Sequence, residues 1–177
     1  MNERMVSIVV LSAALNLAMQ APARAQTGAE PSTTDIAALK AEIDELKRLL
    51  PSQSHTMADV EFHFANLWFA GKEENWPLAT FYLNETRSHL GWTVRLHPVR
   101  RISTGDLDLR PILENVEKSG LADLKKAIDA KDEKAFEASY RATLNQCYAC
   151  HVASEKPFLR PEIPEAPESR LMIHEHD

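Results

Sequence analysis

Cys147-Tyr148-Ala149-Cys150-His151 is the stretch whose residue types and spacing specify chemistry most directly. Two thiols three residues apart, followed at once by a histidine, form the C-x-x-C-H arrangement to which c-type haem is attached. The spacing has a physical reason. Each thiol adds to one of the two haem vinyl groups, and the adjacent histidine offers an imidazole nitrogen to the iron. On a helix, positions 147, 150 and 151 share one face, because residues three and four apart are neighbours. That face continues upstream through Phe136, Tyr140 and Leu144. The expectation is one covalent haem c, with Cys147 and Cys150 as thioether anchors and His151 as the proximal iron ligand.

Other uses of two cysteines fit less well. A structural zinc site takes four ligands, commonly two C-x-x-C pairs, and the chain has two cysteines in all. A disulfide between residues three apart on one helix constrains almost nothing. A thioredoxin-like pair sits at a helix N-terminus after a strand, where the dipole lowers the thiol pKa. Here the pair falls near the end of a helical pattern. Haem attachment takes place outside the cytoplasm, so an export signal would agree with the motif. Residues 1–25 carry one: an apolar run from Met5 to Met19, then Ala23-Arg24-Ala25 before Gln26. About 15 apolar residues are too few to span a bilayer. A periplasmic location with no membrane span after signal cleavage is therefore expected.

The chain has 177 residues, 44% of them hydrophobic and only five of them glycine, which suits one largely helical domain with appendages. A net charge of −6 argues against a nucleic-acid partner. Residues 26–53 read as a polar tether followed by a short coiled-coil-like helix. Thr34 or Asp35 caps it, and Pro51 follows its end at Leu50. Ile36, Ile43 and Leu50 occupy heptad a positions, with Leu39 and Leu46 at d. A homodimer through residues 35–50 and packing of this stripe within its own chain are both open.

Residues 54–156 predict four antiparallel helices. Met57, Val60, Phe64, Leu67, Trp68 and Gly71 follow the helical period in the first. Asn75 caps the second, with Pro77 in its first turn and His97-Pro98 at its end. Val99 to Asp108 reads as a polar loop or lid. A third helix starts at Asp108 and Pro111 and reaches Ala130, bent or broken at Ser119-Gly120. Asp132 caps the fourth, which carries the cysteines and stops before Pro157. Fairly short loops make this the pattern of an up-down bundle. The predicted fold class is all-α: an antiparallel four-helix bundle with an extra N-terminal heptad helix and a Pro-rich C-terminal tail. That tail, residues 157–177, holds Pro157, Pro161, Pro164 and Pro167 and reads as extended.

With the motif on the fourth helix, residues 54–155 resemble the class II c-type cytochromes, the cytochrome c′-like family. The stretch Phe62-His63-Phe64-Ala65-Asn66-Leu67-Trp68-Phe69-Ala70-Gly71, with Asn75-Trp76-Pro77-Leu78-Ala79, is similar to a set of exported haem proteins. The chain departs from the family in its heptad helix, its basic 95–101 stretch, its proline-rich tail and Glu155 in place of a basic residue.

The resemblance implies that any distal residue comes from the first bundle helix. His63 and Met57 are the candidate iron ligands there, and Phe64 would instead plug the site. His89 ranks lower. His97, in a turn, and His55, His174 and His176, in surface stretches, are not expected at the iron. Arg95, Arg100 and Arg101 form a local basic cluster, read first as ordinary surface charge, with pairing to haem propionates or an acidic redox partner as the functional alternative. The leading expectation is an electron carrier rather than an enzyme. The alternative is a gas-binding module, for NO or CO, with an open or Phe-lined distal site. A small peroxidase would need a positioned distal acid–base pair, for which His63 alone is thin support.

Overall fold

The computed structural model describes residues 32–167. The predicted signal peptide, and His174 and His176, lie outside the described residues. The chain divides into two compact units, Met1–Asp44 and Glu45–Asp177.

Helix α1 (Thr33–Leu49) starts two to three residues earlier than its pattern suggests. Ser32, not Thr34 or Asp35, is the cap. Asp35 Oδ2 accepts from the Ser32 N–H at 3.1 Å while Ser32 Oγ accepts from the Asp35 N–H at 3.2 Å. The reciprocal pair satisfies two N-terminal groups. Ile36, Leu39, Ile43, Leu46 and Leu50 are all exposed.

In the second unit, α2 (Gln53–Lys72) and α3 (Trp76–Leu96) form a tight helical hairpin. The turn between them depends on Glu74 in the left-handed region, φ 54°. Asn75 Oδ1 then accepts from the Leu78 N–H at 3.2 Å, as its cap position requires. Gly71 faces the Phe136 ring so closely that a Cβ there would overlap it. That approach lets α6 (Glu133–Ala153) lie against α2.

Val99 to Asp108 is not a loop. It forms an antiparallel hairpin of β1 (Val99–Ile102) and β2 (Gly105–Asp108), with Arg100 opposite Leu107 and Arg101 opposite Asp106. A lone two-stranded hairpin is marginal in water. The bond from Leu109 N–H to Pro98 O at 2.9 Å closes its base, and a long-range anchor holds its turn, where Ser103 N–H donates to both oxygens of the Glu155 carboxylate.

The predicted third helix is two helices, α4 (Arg110–Lys118) and α5 (Gly120–Ala130). Ser119 breaks them with ψ −93°, and Gly120 packs against Thr143 too closely to carry a side chain. Asp132 caps α6, accepting from the Ala135 N–H at 3.0 Å. Helix α2 packs on α3 and α6, α5 packs on α6 and α3, and α4 touches α3, α5 and α6. The described residues are thus mostly helical, and none of their helices is long and apolar enough to cross a membrane.

The core is rich in aromatic rings. Phe64, Trp68, Trp76, Tyr82, Phe136 and Tyr140 are all buried together with Leu67, Leu83, Leu121 and Leu124. Phe136, Tyr140 and Leu144 therefore do form the inward face of the helix that carries the cysteines.

Candidate functional site

Cys147, Cys150 and His151 sit in the last two turns of α6, and how that helix ends decides what faces them. Ser154 is its cap, and Glu155 follows with φ 59°. Glu155 N–H bonds Val152 O at 3.0 Å and Lys156 N–H bonds His151 O at 2.8 Å. These two bonds with a left-handed residue between them are a Schellman ending, usually built on glycine. The chain turns back, and Pro157 prevents any further helix. Residues 157–167 then run beside α6. Tyr148 Oη donates to Pro157 O at 3.2 Å, the Arg160 guanidinium lies 5.1 Å from the Tyr148 ring centroid, and Ile163 packs on the core.

The reversal brings Leu159 O to 2.6 Å from His151 Nδ1. A carbonyl only accepts, so Nδ1 carries the proton. The lone pair of the neutral ring is then on Nε2, free for a metal.

The two thiols and the His151 ring line one cavity of about 1050 Å³. Small-molecule pockets run roughly 300–1,000 Å³, so this one is large. Its walls include Val60, Phe64, Leu90, Val116, Tyr140 and Leu144, with the tail from Phe158 onward along one side. Both cysteines are free. Burial, and then the neighbouring Cys150, push the Cys147 thiol up to about 12. Burial also raises Cys150, against the pull of Ser154 and Arg100. A thioredoxin-like redox pair relies on the opposite shift. Burial raises Tyr140 as well, so it stays a neutral phenol.

A haem asks for two unpaired thiols beside an imidazole with a free Nε2, for apolar walls, and for a cation near its propionates. The cavity offers each of these, and the residues fit the group.

Of the three arginines in the basic cluster, only Arg100 lines the cavity. Its Nε donates to Ser154 O at 3.2 Å and its Nη1 to Gln53 Oε1 at 2.8 Å. Arg101 pairs instead with Asp106, and Arg95 is exposed.

The two candidate distal ligands part company. Met57 lines the cavity, as does Phe64, and among the described residues no histidine besides His151 does. His63 sits on another side of α2, with its ring stacked on His89 at 4.7 Å. Burial and then His89 lower its pKa, against smaller upward pulls from Glu85 and Asp59. The reason is angular: Phe64 points at α6, so its neighbour His63 turns toward α3. His97 Nε2 donates to Pro51 O at 2.9 Å, a structural contact, and His55 Nδ1 lies 2.7 Å from Ser52 Oγ at the start of α2.

The residues that the sequence reading missed here are Leu159, Gln53 and Ser154, which act largely through backbone or tertiary contacts. Asp59 and Glu85 were also missed, although each stands four residues before a histidine on its helix. Comparison with family models, with curated proteins and with solved structures returned no match to this chain.

Proposed function

We propose that this chain is an exported, periplasmic monohaem c-type cytochrome that carries electrons, on an antiparallel four-helix bundle made of α2, α3, α5 and α6. The observation that carries this reading is the hydrogen bond from His151 Nδ1 to Leu159 O, in the cavity that also holds Cys147 and Cys150. It sets the tautomer and the plane of the ring that would ligate iron, as backbone carbonyls do for metal-bound histidines generally.

When bound, a haem supplies one-electron chemistry at its iron. The chain's own residues do the rest. Cys147 and Cys150 would tether the ring as thioethers, each S–H having added across one vinyl double bond. His151 would supply the proximal ligand, and Arg100, which also lines the cavity, would be available to pair with the propionates. Met57, which lines the cavity, would be the candidate second ligand, and histidine–methionine ligation would suit electron transfer. The apolar wall would keep water from the iron.

A second reading, a gas-binding module of the cytochrome c′ kind, draws on Phe64. Its ring lines the cavity and is held parallel to Tyr140, a rigid apolar wall of the sort that leaves an iron open. Absorption spectra of the oxidised and reduced protein, with and without CO, separate the two. Sharp split bands unmoved by CO, lost in Met57→Ala, fit the electron carrier. A broad band shifted by CO in the unsubstituted protein replaces it with the gas-binding reading. Absence of covalently bound haem from the exported protein overturns both.

A further inference from the structure

His63 and His89 have no place in the cavity of the cysteines, and they stand together with two carboxylates. Asp59 and His63 lie four apart on α2, and Glu85 and His89 lie four apart on α3. Each pair therefore occupies one helix face. Packing of the two helices turns these faces toward each other.

The ligating atoms of His63, Glu85 and His89 all lie within 4.8 Å of one another. Asp59 Oδ2 is 3.7 Å from His89 Nδ1, and Glu85 Oε2 is 3.8 Å from His89 Nε2. Both separations exceed a hydrogen bond. His63 Nδ1 is buried without a hydrogen-bond partner, the only such side-chain atom among the described residues. A buried polar group left without a partner is destabilising. Neither carboxylate is paired with a lysine or arginine among the described residues. The cluster thus holds two acids and two imidazoles, with one nitrogen lacking any partner.

We propose that His63, Glu85 and His89, with Asp59 at the rim, bind a divalent transition-metal ion at a site separate from the haem cavity. A dication balances the two carboxylates and gives His63 Nδ1 the partner it lacks. Two imidazoles and a carboxylate suit zinc, copper or nickel rather than calcium or magnesium, which take oxygen ligands. Tetrahedral zinc places its ligands about 3.4 Å apart, so the cluster must close by roughly 1 Å. Glu85 and His89 have the freedom for that, their side chains being 37% and 31% exposed. The fourth position falls to Asp59 or to water.

Zinc titrated calorimetrically into the purified haem-loaded protein tests this site. His63→Ala and His89→Gln are the variants, with His174→Ala/His176→Ala as a control for the remaining C-terminal histidines. One equivalent is expected to bind the unsubstituted protein and the control alike. Affinity is expected to fall by about tenfold or more in each ligand variant, since even outer-shell changes cost that much. Helical circular dichroism and haem absorption stay unchanged. Should His63→Ala lose helicity, the half-exposed His89→Gln decides alone. Equal zinc binding in the parent and His89→Gln, or none in the parent, overturns the proposal. So does a changed haem spectrum in a folded His63→Ala, which would place His63 at the iron instead.

Discussion

Tyr140 donates through its hydroxyl to the carbonyl of Phe64 at 2.9 Å, and the two rings stack 4.3 Å apart at 6°. This one residue pair ties the helix that carries the cysteines to the helix that faces them. It also fixes the wall of the cavity, because both rings line it. Tyr140→Phe keeps the stack and removes the hydrogen bond. Its stability in urea is expected to fall by about 0.5–1.5 kcal/mol. Unchanged stability would mean that the bond holds nothing together.

The His151–Leu159 contact makes a prediction about protons. Nitrogen-15 spectra of the haem-free chain are expected to show His151 protonated at Nδ1. Deleting residues 157–177 removes the carbonyl that holds this tautomer, and the ring should revert to the usual excess of the Nε2–H form. Identical spectra from the two chains would sink the idea that the tail orients the ligand.

Gly71 is expected to be intolerant. A methyl group there meets the fully buried Phe136 ring. Overpacking of this kind costs about 1–3 kcal/mol. Gly71→Ala should lower the thermal midpoint, and adding Phe136→Leu should recover part of the loss. A double variant no better than the single one argues against the clash.

Glu155 supplies a pH dependence. Hydrogen bonds from the Ser103 hydroxyl and then the Ser103 N–H hold its carboxyl below the ordinary glutamate range, with a smaller pull from Arg100. A carboxylate with a depressed folded pKa stabilises the structure above its unfolded value, and that contribution is lost as pH falls through the folded value. The β1–β2 hairpin should therefore loosen below the usual glutamate range and stay fixed near neutrality. Amide exchange at Ser103 should quicken on acidification in the parent, whereas Glu155→Gln should already be fast at neutral pH. Protection in that variant equal to the parent's would refute the tether.

The exposed stripe of α1 is expected to pair two copies of the chain in parallel. Ile36 and Ile43 at a, with Leu39 and Leu46 at d, have the pattern of a two-stranded coil. Two heptads alone are short, so the dimer should be weak and dependent on concentration. Sedimentation is expected to show dimers that vanish in Leu39→Glu/Ile43→Glu. A monomer at every concentration would remove this partner.

Local signals were enough to place the helices, the Asn75 and Asp132 caps, the break at Ser119-Gly120 and the chemistry-bearing face of α6. Each depends on residues within one or two turns of one another, and helical spacing alone puts Cys147, Cys150 and His151 beside Phe136, Tyr140 and Leu144. The hairpin at 99–108 was not legible. Its strands are four residues long, and their stability comes from Pro98, Gln53 and Glu155, two of them about 50 positions away. Leu159 carries no sign in its side chain that its carbonyl meets His151, because that contact follows from a left-handed Glu155 that a sequence does not announce. His63 borders the core face by spacing, so it could have turned to either side. Only the packing of α2 against α3 decided that it meets His89 and leaves Met57 and Phe64 to the cavity, since a helix's own period sets which residues are neighbours but not which helix they face.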